Sequence, residues 1–227
     1  LPIERKYRAG IPMELKIDGL LGGHSGQEIY KGRANADKLL GRILFHASKE
    51  SGFNLVSVSG GSKDNAIPRD SVAILSAFSD MDMKKLIALG DIFSQIIGRE
   101  YSVTDPDITV SVREITDGMA LSDPMDEAST GRVIAALVNC PNGIERMSFD
   151  VAGLVETSLN LGILATAEKE TTLSFCIRSS VESAKNSLID KLKCVTGLAG
   201  GRNEVTGEYP GWKYRVDSPL RSKMVSV

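Results

Sequence analysis

With 227 residues, the chain is long enough to bury a hydrophobic core without disulfide or metal staples, as one large domain or two small ones. Its 27 basic and 29 acidic side chains leave a formal charge of −2, so no basic field exists to neutralise phosphates and general nucleic-acid binding is disfavoured. Hydrophobic residues at 42% and charged residues at 25% are the proportions of a chain that folds, not of a disordered one.

In chain order, Ile11, Met13, Leu15 and Ile17 alternate with polar residues and predict a half-buried strand. Ala36, Leu39, Leu40, Ile43, Leu44 and Ala47 then recur at helical spacing, with Asn35 as the candidate cap. Two strands follow, at Phe53 to Ser59 and Ser71 to Phe78, joined by a turn-rich segment that contains Gly60, Gly61 and Pro68. A helix carrying Leu86, Ile87, Phe93, Ile96 and Ile97 is expected to start after Asp80 or Asp82 and to end near Gly98, before a strand at Ile108, Val110 and Val112.

The second half repeats this grammar. A helix through Val133, Ile134, Leu137 and Val138 stops at Pro141-Asn142-Gly143. Strands run from Leu154 to Leu164 and through Leu173, Phe175 and Ile177, and a helix with Ala184, Leu188, Ile189, Leu192 and Val195 is terminated by Gly197, Gly200 and Gly201. A short helix is expected from Ser218. The expected class is α+β: two ferredoxin-like α/β lobes with mainly antiparallel sheets, because the hairpin-like strand pairs are too closely connected for parallel crossovers. The expected lobes are residues 11–115 and 116–208, with 1–10 leading in and 209–227 leading out.

Cys140, Cys176 and Cys194 are odd in number and form no C-x-x-C pair, which points to a reducing compartment. Cys176 and Cys194 read as small core residues. No apolar run approaches the roughly 20 residues that span a bilayer, and no basic segment opens into an apolar signal core, so a cytoplasmic protein without membrane partners is expected. The chain begins at Leu1, not Met, and is expected to be part of something longer.

The most distinctive stretch is Gly22-Gly23-His24-Ser25-Gly26. It follows a strand and hangs a histidine between glycines, whose backbone freedom lets a loop present an imidazole to a ligand; a flexible turn with a solvated histidine is the plainer alternative. Asn65, before Pro68 and Arg69, is a second candidate, and a turn needs no function to hold an asparagine. Arg178 alternates away from Leu173, Phe175 and Ile177, where it could meet a carboxylate bidentately. Asn160 reads either as a ligand contact or as a buried amide serving the backbone. Only two histidines are present, His24 and the helix-borne, structural His46, and no H-E-x-x-H pattern occurs, so no metal ligand set is visible.

Gly22 to Gly26, Asn65-Ala66-Ile67-Pro68-Arg69, Pro141-Asn142-Gly143, Val155 to Asn160, Cys176-Ile177-Arg178-Ser179 and Tyr209-Pro210-Gly211-Trp212 together resemble, in this order, the lid domain of the aminoacyl-histidine dipeptidases, dinuclear zinc peptidases of the carnosine-cleaving type. The resemblance implies that two zinc ions and the catalytic glutamate lie in a catalytic domain split around the lid, with 1–10 and 209–227 crossing into it, and that none is bound by this chain. It implies a dipeptide substrate with C-terminal histidine, the remainder of the catalytic domain as partner, His24 as a hydrogen-bond donor to the developing oxyanion, Arg178 as the clamp on the substrate carboxylate, and Asn65 or Asn160 orienting the peptide. One departure is that the strand after Asn65-Ala66-Ile67-Pro68 carries no arginine, which leaves Arg178 in the second lobe as the candidate, as though the two lobes imitate two subunits of a dimeric relative. The competing expectation is a stand-alone ferredoxin-like interaction module, pairing through sheet edges or helices, for example as a homodimer.

Overall fold

The computed structural model describes residues 1–116, 122–211 and 217–225. Nine strands and five α-helices occur there: β1 (Ile11–Asp18), β2 (Gly23–His24), α1 (Ala36–Glu50), β3 (Phe53–Gly60), β4 (Ala66–Ile67), β5 (Ser71–Ala77), α2 (Asp80–Glu100), β6 (Thr109–Glu114), α3 (Glu127–Asn139), β7 (Gly143–Met147), β8 (Val155–Thr166), β9 (Thr171–Ser179), α4 (Glu182–Leu198) and α5 (Pro219–Val225).

In the first lobe, β1, α1, β3, β5, α2 and β6 follow the ferredoxin-like order β6-β1-β5-β3, with every neighbouring pair antiparallel. In the second, β7, β8 and β9 pair antiparallel in the order β7-β8-β9. The two join into one sheet where Gly60 of β3 lies opposite Leu164 of β8. The helices pack in a row against it, α1 between α2 and α3, and α3 against α4. The alternation of β1 buries Met13, Leu15 and Ile17 completely, against the stripe Leu40, Ile43 and Leu44 of α1; truncating any of the larger ones to alanine costs about 2–5 kcal/mol.

Asn35 caps α1 as expected, its side chain accepting from the Lys38 N–H at 3.2 Å. The α2 cap is Ser79, not Asp80 or Asp82: its Oγ accepts from the Asp82 N–H at 3.2 Å, and the acids fall in the first turn, where the positive end of the helix favours them. That helix also continues past Gly98 to Glu100, because a glycine within a helix costs only about 1 kcal/mol and the buried Ile97 anchors the last turn. For α4 the glycine signal holds at Gly200, whose φ of 68° ends the helix after Leu198, whereas Gly197 lies inside it. Ser218 precedes α5 and its Oγ accepts from the Arg221 N–H.

Residues 1–6, expected as a lead-in, are tied to the rest of the fold. Leu1 and Thr171 exchange backbone hydrogen bonds of 2.8 Å, and Arg5 donates to the carbonyls of Val56, Asp123, Ala167 and Glu168. Cys194 is exposed, which corrects its reading as a core residue: it lies off the apolar stripe of α4. Cys176 is half-buried and Cys140 buried, where burial pushes the Cys140 thiol up. Trp212 lies outside the described residues. Among the described residues no helix is long and apolar enough to cross a membrane.

Candidate functional site

Residues 21–34 leave the end of β1 and return to the start of α1 as a loop whose neck is closed by Asp105. This buried carboxylate accepts the Leu21 N–H at 3.0 Å through one oxygen and the Ala34 N–H at 2.9 Å through the other. Within the loop, β2 pairs with β4, Gly23 opposite Ile67 and His24 opposite Ala66. The Ser25 N–H extends the contact by donating to the Asn65 carbonyl at 2.9 Å. Two motifs far apart in sequence, around His24 and around Asn65, are thus one structural unit.

His24 is held by both backbone and ring. Its N–H donates to Glu28 Oε2 at 2.9 Å, and its carbonyl accepts from the Glu28 N–H at 2.9 Å. Its Nδ1 accepts from the N–H groups of Gly26 at 3.1 Å and Gln27 at 3.0 Å. A nitrogen that accepts two N–H donors carries no proton, so the neutral ring has its proton on Nε2 and offers it outward as a donor. Lys31 first, then the His24 N–H, hold the Glu28 carboxyl down at about 2. Arg33 bonds both Glu28 and the Gly22 carbonyl.

Arg178, at the end of β9, lies against the same loop. Its Nε, Cζ and Cδ stand 2.9, 3.0 and 3.1 Å from the point a Cβ on Gly26 would occupy. The Arg178 Nε is buried and makes no hydrogen bond among the described residues. A buried guanidinium N–H without a partner is costly unless something is designed to meet it. Arg178, Gly26, Asp64 and Ser158 border a cleft of about 1160 Å³ that runs along β9 and α4.

The two asparagines separate clearly. Asn160, 1% exposed, donates through Nδ2 to the carbonyls of Asp64 at 3.1 Å and Ala66 at 2.8 Å, and its Oδ1 accepts from Asn35 at 3.3 Å. Its polar atoms are taken up in holding the 64–66 turn and the start of α1. Asn142 adds to this network by accepting from the Leu161 N–H and from Asn35. Asn65 is half-buried, its carbonyl engaged by Ser25, while its side chain makes no hydrogen bond among the described residues.

The sequence pattern does not single out Glu28, Arg33, Asp105 or Asn142 as site residues. For Glu28 a local signal exists, an acid four residues beyond His24 and next to Lys31 and Arg33. Asp105 reaches the loop only through tertiary structure. His46 is exposed and packs its ring on Phe93 and Phe45, away from this loop. Among the described residues no group of three or more His, Cys, Asp or Glu side chains could hold a metal ion.

No family model matches the chain. Over 208 residues, 91% of its length, it is 33% identical to the cytosol non-specific dipeptidase of Escherichia coli (strain K12), of which it covers 42%. Its structure superposes on the crystal structure of aminoacylhistidine dipeptidase from Vibrio alginolyticus with a TM-score of 0.92 and 37% identity, over 98% of this chain and 45% of that one. The chain therefore resembles these dipeptidases along nearly all of its length while spanning less than half of theirs.

Proposed function

We propose that this chain is the lid and substrate-recognition portion of a cytoplasmic zinc-dependent dipeptidase that hydrolyses Xaa-His dipeptides such as β-alanyl-histidine, and that it is catalytically incomplete by itself. The likeness to two dipeptidases supports the reaction class, and the name of the Vibrio alginolyticus relative supports the substrate class. The observation that carries the reading is that Arg178, with a buried Nε that has no partner among the described residues, lies against Gly26, two residues from His24, whose Nδ1 is occupied by backbone N–H groups so that Nε2 carries the proton.

In this reading the scissile carbonyl oxygen accepts the His24 Nε2–H. As the carbonyl carbon becomes tetrahedral, negative charge grows on that oxygen, so the hydrogen bond is stronger in the transition state than in the bound substrate and accelerates the reaction. Arg178 takes the C-terminal carboxylate, its planar fork fixing the distance from that end of the dipeptide to the carbonyl. Asn65, with a side chain free to turn towards ligand, orients the peptide, and Asn160 acts behind it by fixing the 64–66 turn. The described residues form no cluster that fits a metal ion. The two zinc ions, which would supply an activated hydroxide, are assigned to a catalytic portion reached through 1–10 and 209–227.

The test is His24→Ala in the full-length dipeptidase with β-alanyl-histidine as substrate. A fall in kcat of roughly 10²-fold with little change in KM is expected. Unchanged turnover contradicts the reading and favours an interaction module that pairs through sheet edges or helices.

A further inference from the structure

We infer that Glu28 and Arg33 form a brace that sets the orientation and tautomer of His24, making Glu28 a positioning residue for the proton that His24 donates. The inference rests on the proposed role of His24 as donor to the scissile carbonyl.

The geometry divides the work of the Glu28 carboxylate between its two oxygens. Oε2 accepts the His24 N–H at 2.9 Å, while Oε1 takes Lys31 Nζ at 2.7 Å and Arg33 Nη1 at 3.3 Å. Arg33 in turn donates to the Gly22 carbonyl. The peptide groups on both sides of Gly23 are therefore tied to one ion pair, Gly22 through its carbonyl and His24 through its N–H. Gly23 itself has φ of 143°, and a Cβ there would stand 2.7 Å from both Arg33 Nη1 and Glu28 Oε2. The brace fills the space of the missing side chain, which is a physical reason for the second glycine of the motif beyond its backbone freedom.

The consequence reaches the ring through the turn. The N–H groups of Gly26 and Gln27 meet Nδ1 only while the 24–28 turn is closed, and Glu28 closes it twice, by its own N–H on the His24 carbonyl and by its carboxylate on the His24 N–H. Without the carboxylate, the His24 N–H loses its partner, and the 24–28 turn is closed by the Glu28 N–H alone while the strand pairing at Gly23 remains. The ring is then no longer held with Nδ1 as acceptor, and Nε2 is no longer the only nitrogen that carries the proton. Displacement of a donor by about 1 Å can cost 10²-fold in rate.

The experiment reads the ring directly. The chain has two histidines, so ¹⁵N NMR of this chain at mildly alkaline pH resolves the nitrogens of His24, with His46 as internal reference. Wild type is expected to show a single tautomer at His24, Nδ1 bare and Nε2 protonated. Glu28→Ala should give a mixture, and Glu28→Gln, whose amide oxygen still accepts the His24 N–H, should restore the wild-type signature. Arg33→Gln, which leaves the carboxylate in place, is a second variant with a smaller change in the same direction. In the full-length dipeptidase Glu28→Ala should lower kcat on β-alanyl-histidine about tenfold or more with KM within about twofold, and Glu28→Gln should recover most of it. A Glu28→Ala protein that keeps the single tautomer overturns the inference, whatever its rate. A lost tautomer with unchanged kcat upholds the brace and overturns the reading of His24 on which its catalytic meaning rests.

Discussion

Arg178 lies across Gly26, with its Nε 2.9 Å from the position a Cβ on that glycine would take. One loop of the first lobe thereby sets the position of the cation supplied by the last strand of the second. Since Gly26 has no left-handed φ, an alanine there meets no backbone strain and acts only by pushing the guanidinium aside. Gly26→Ala is expected to leave the thermal midpoint nearly unchanged and to raise KM for β-alanyl-histidine about tenfold, the scale of weakening one charge-assisted hydrogen bond. Steady-state kinetics beside a thermal melt check this; an unchanged KM would show that Arg178 does not need its place over Gly26.

The two asparagines should respond in opposite ways. Asn160→Ala removes a buried amide and strips hydrogen bonds from the Asp64 and Ala66 carbonyls and from the buried Asn35, and should cost about 2–3 kcal/mol in urea unfolding. Asn65→Ala should change stability by no more than about 0.5 kcal/mol and show its effect in KM. The reverse pattern would move the substrate contact from Asn65 to Asn160.

Asp37 makes stability depend on pH in an unusual direction. The side chain is fully buried in the first turn of α1, its Oδ1 accepting from Ser71 Oγ at 2.7 Å and its Oδ2 without a hydrogen bond. Burial pushes its carboxyl up from the ordinary 3.8 to about 7, against the lowering by Ser71, with nearby Asp70 adding to the rise. Because the folded state holds this proton more tightly than the unfolded chain, the contribution is complete below about pH 4, declines as pH rises, and is gone above about pH 7. Asp37→Asn keeps an acceptor for Ser71 and removes the charge. It should match wild type at pH 4 and exceed it at pH 8 by on the order of 4 kcal/mol. Chemical denaturation at the two pH values decides; a difference that does not change with pH contradicts the assignment.

The parts of the fold that were legible in the sequence are those whose burial is periodic. The alternation of β1 and the stripe of α1 with its Asn35 cap follow from which residues meet the core. The β7 strand left no such trace, because Gly143-Ile-Glu-Arg-Met147 has no fully buried residue and gains its identity by pairing with β8. The two-residue ladder between His24 and Ala66 is shorter than any periodicity can register. For the site, His24 and Arg178 stood out by motif and by strand alternation, but the packing of Arg178 on Gly26, the brace at Glu28 and the neck at Asp105 arise from contacts between segments distant in sequence or from backbone geometry that residue type alone does not fix.

The most direct test of Arg178 as the carboxylate clamp is how the full-length dipeptidase distinguishes β-alanyl-histidine from its C-terminal amide, with and without that arginine. Wild type should favour the free acid by about tenfold or more in kcat/KM, and Arg178→Ala should bring the ratio close to one by losing activity on the acid alone. Retention of the wild-type ratio in Arg178→Ala would contradict the clamp, since the carboxylate would then be recognised elsewhere.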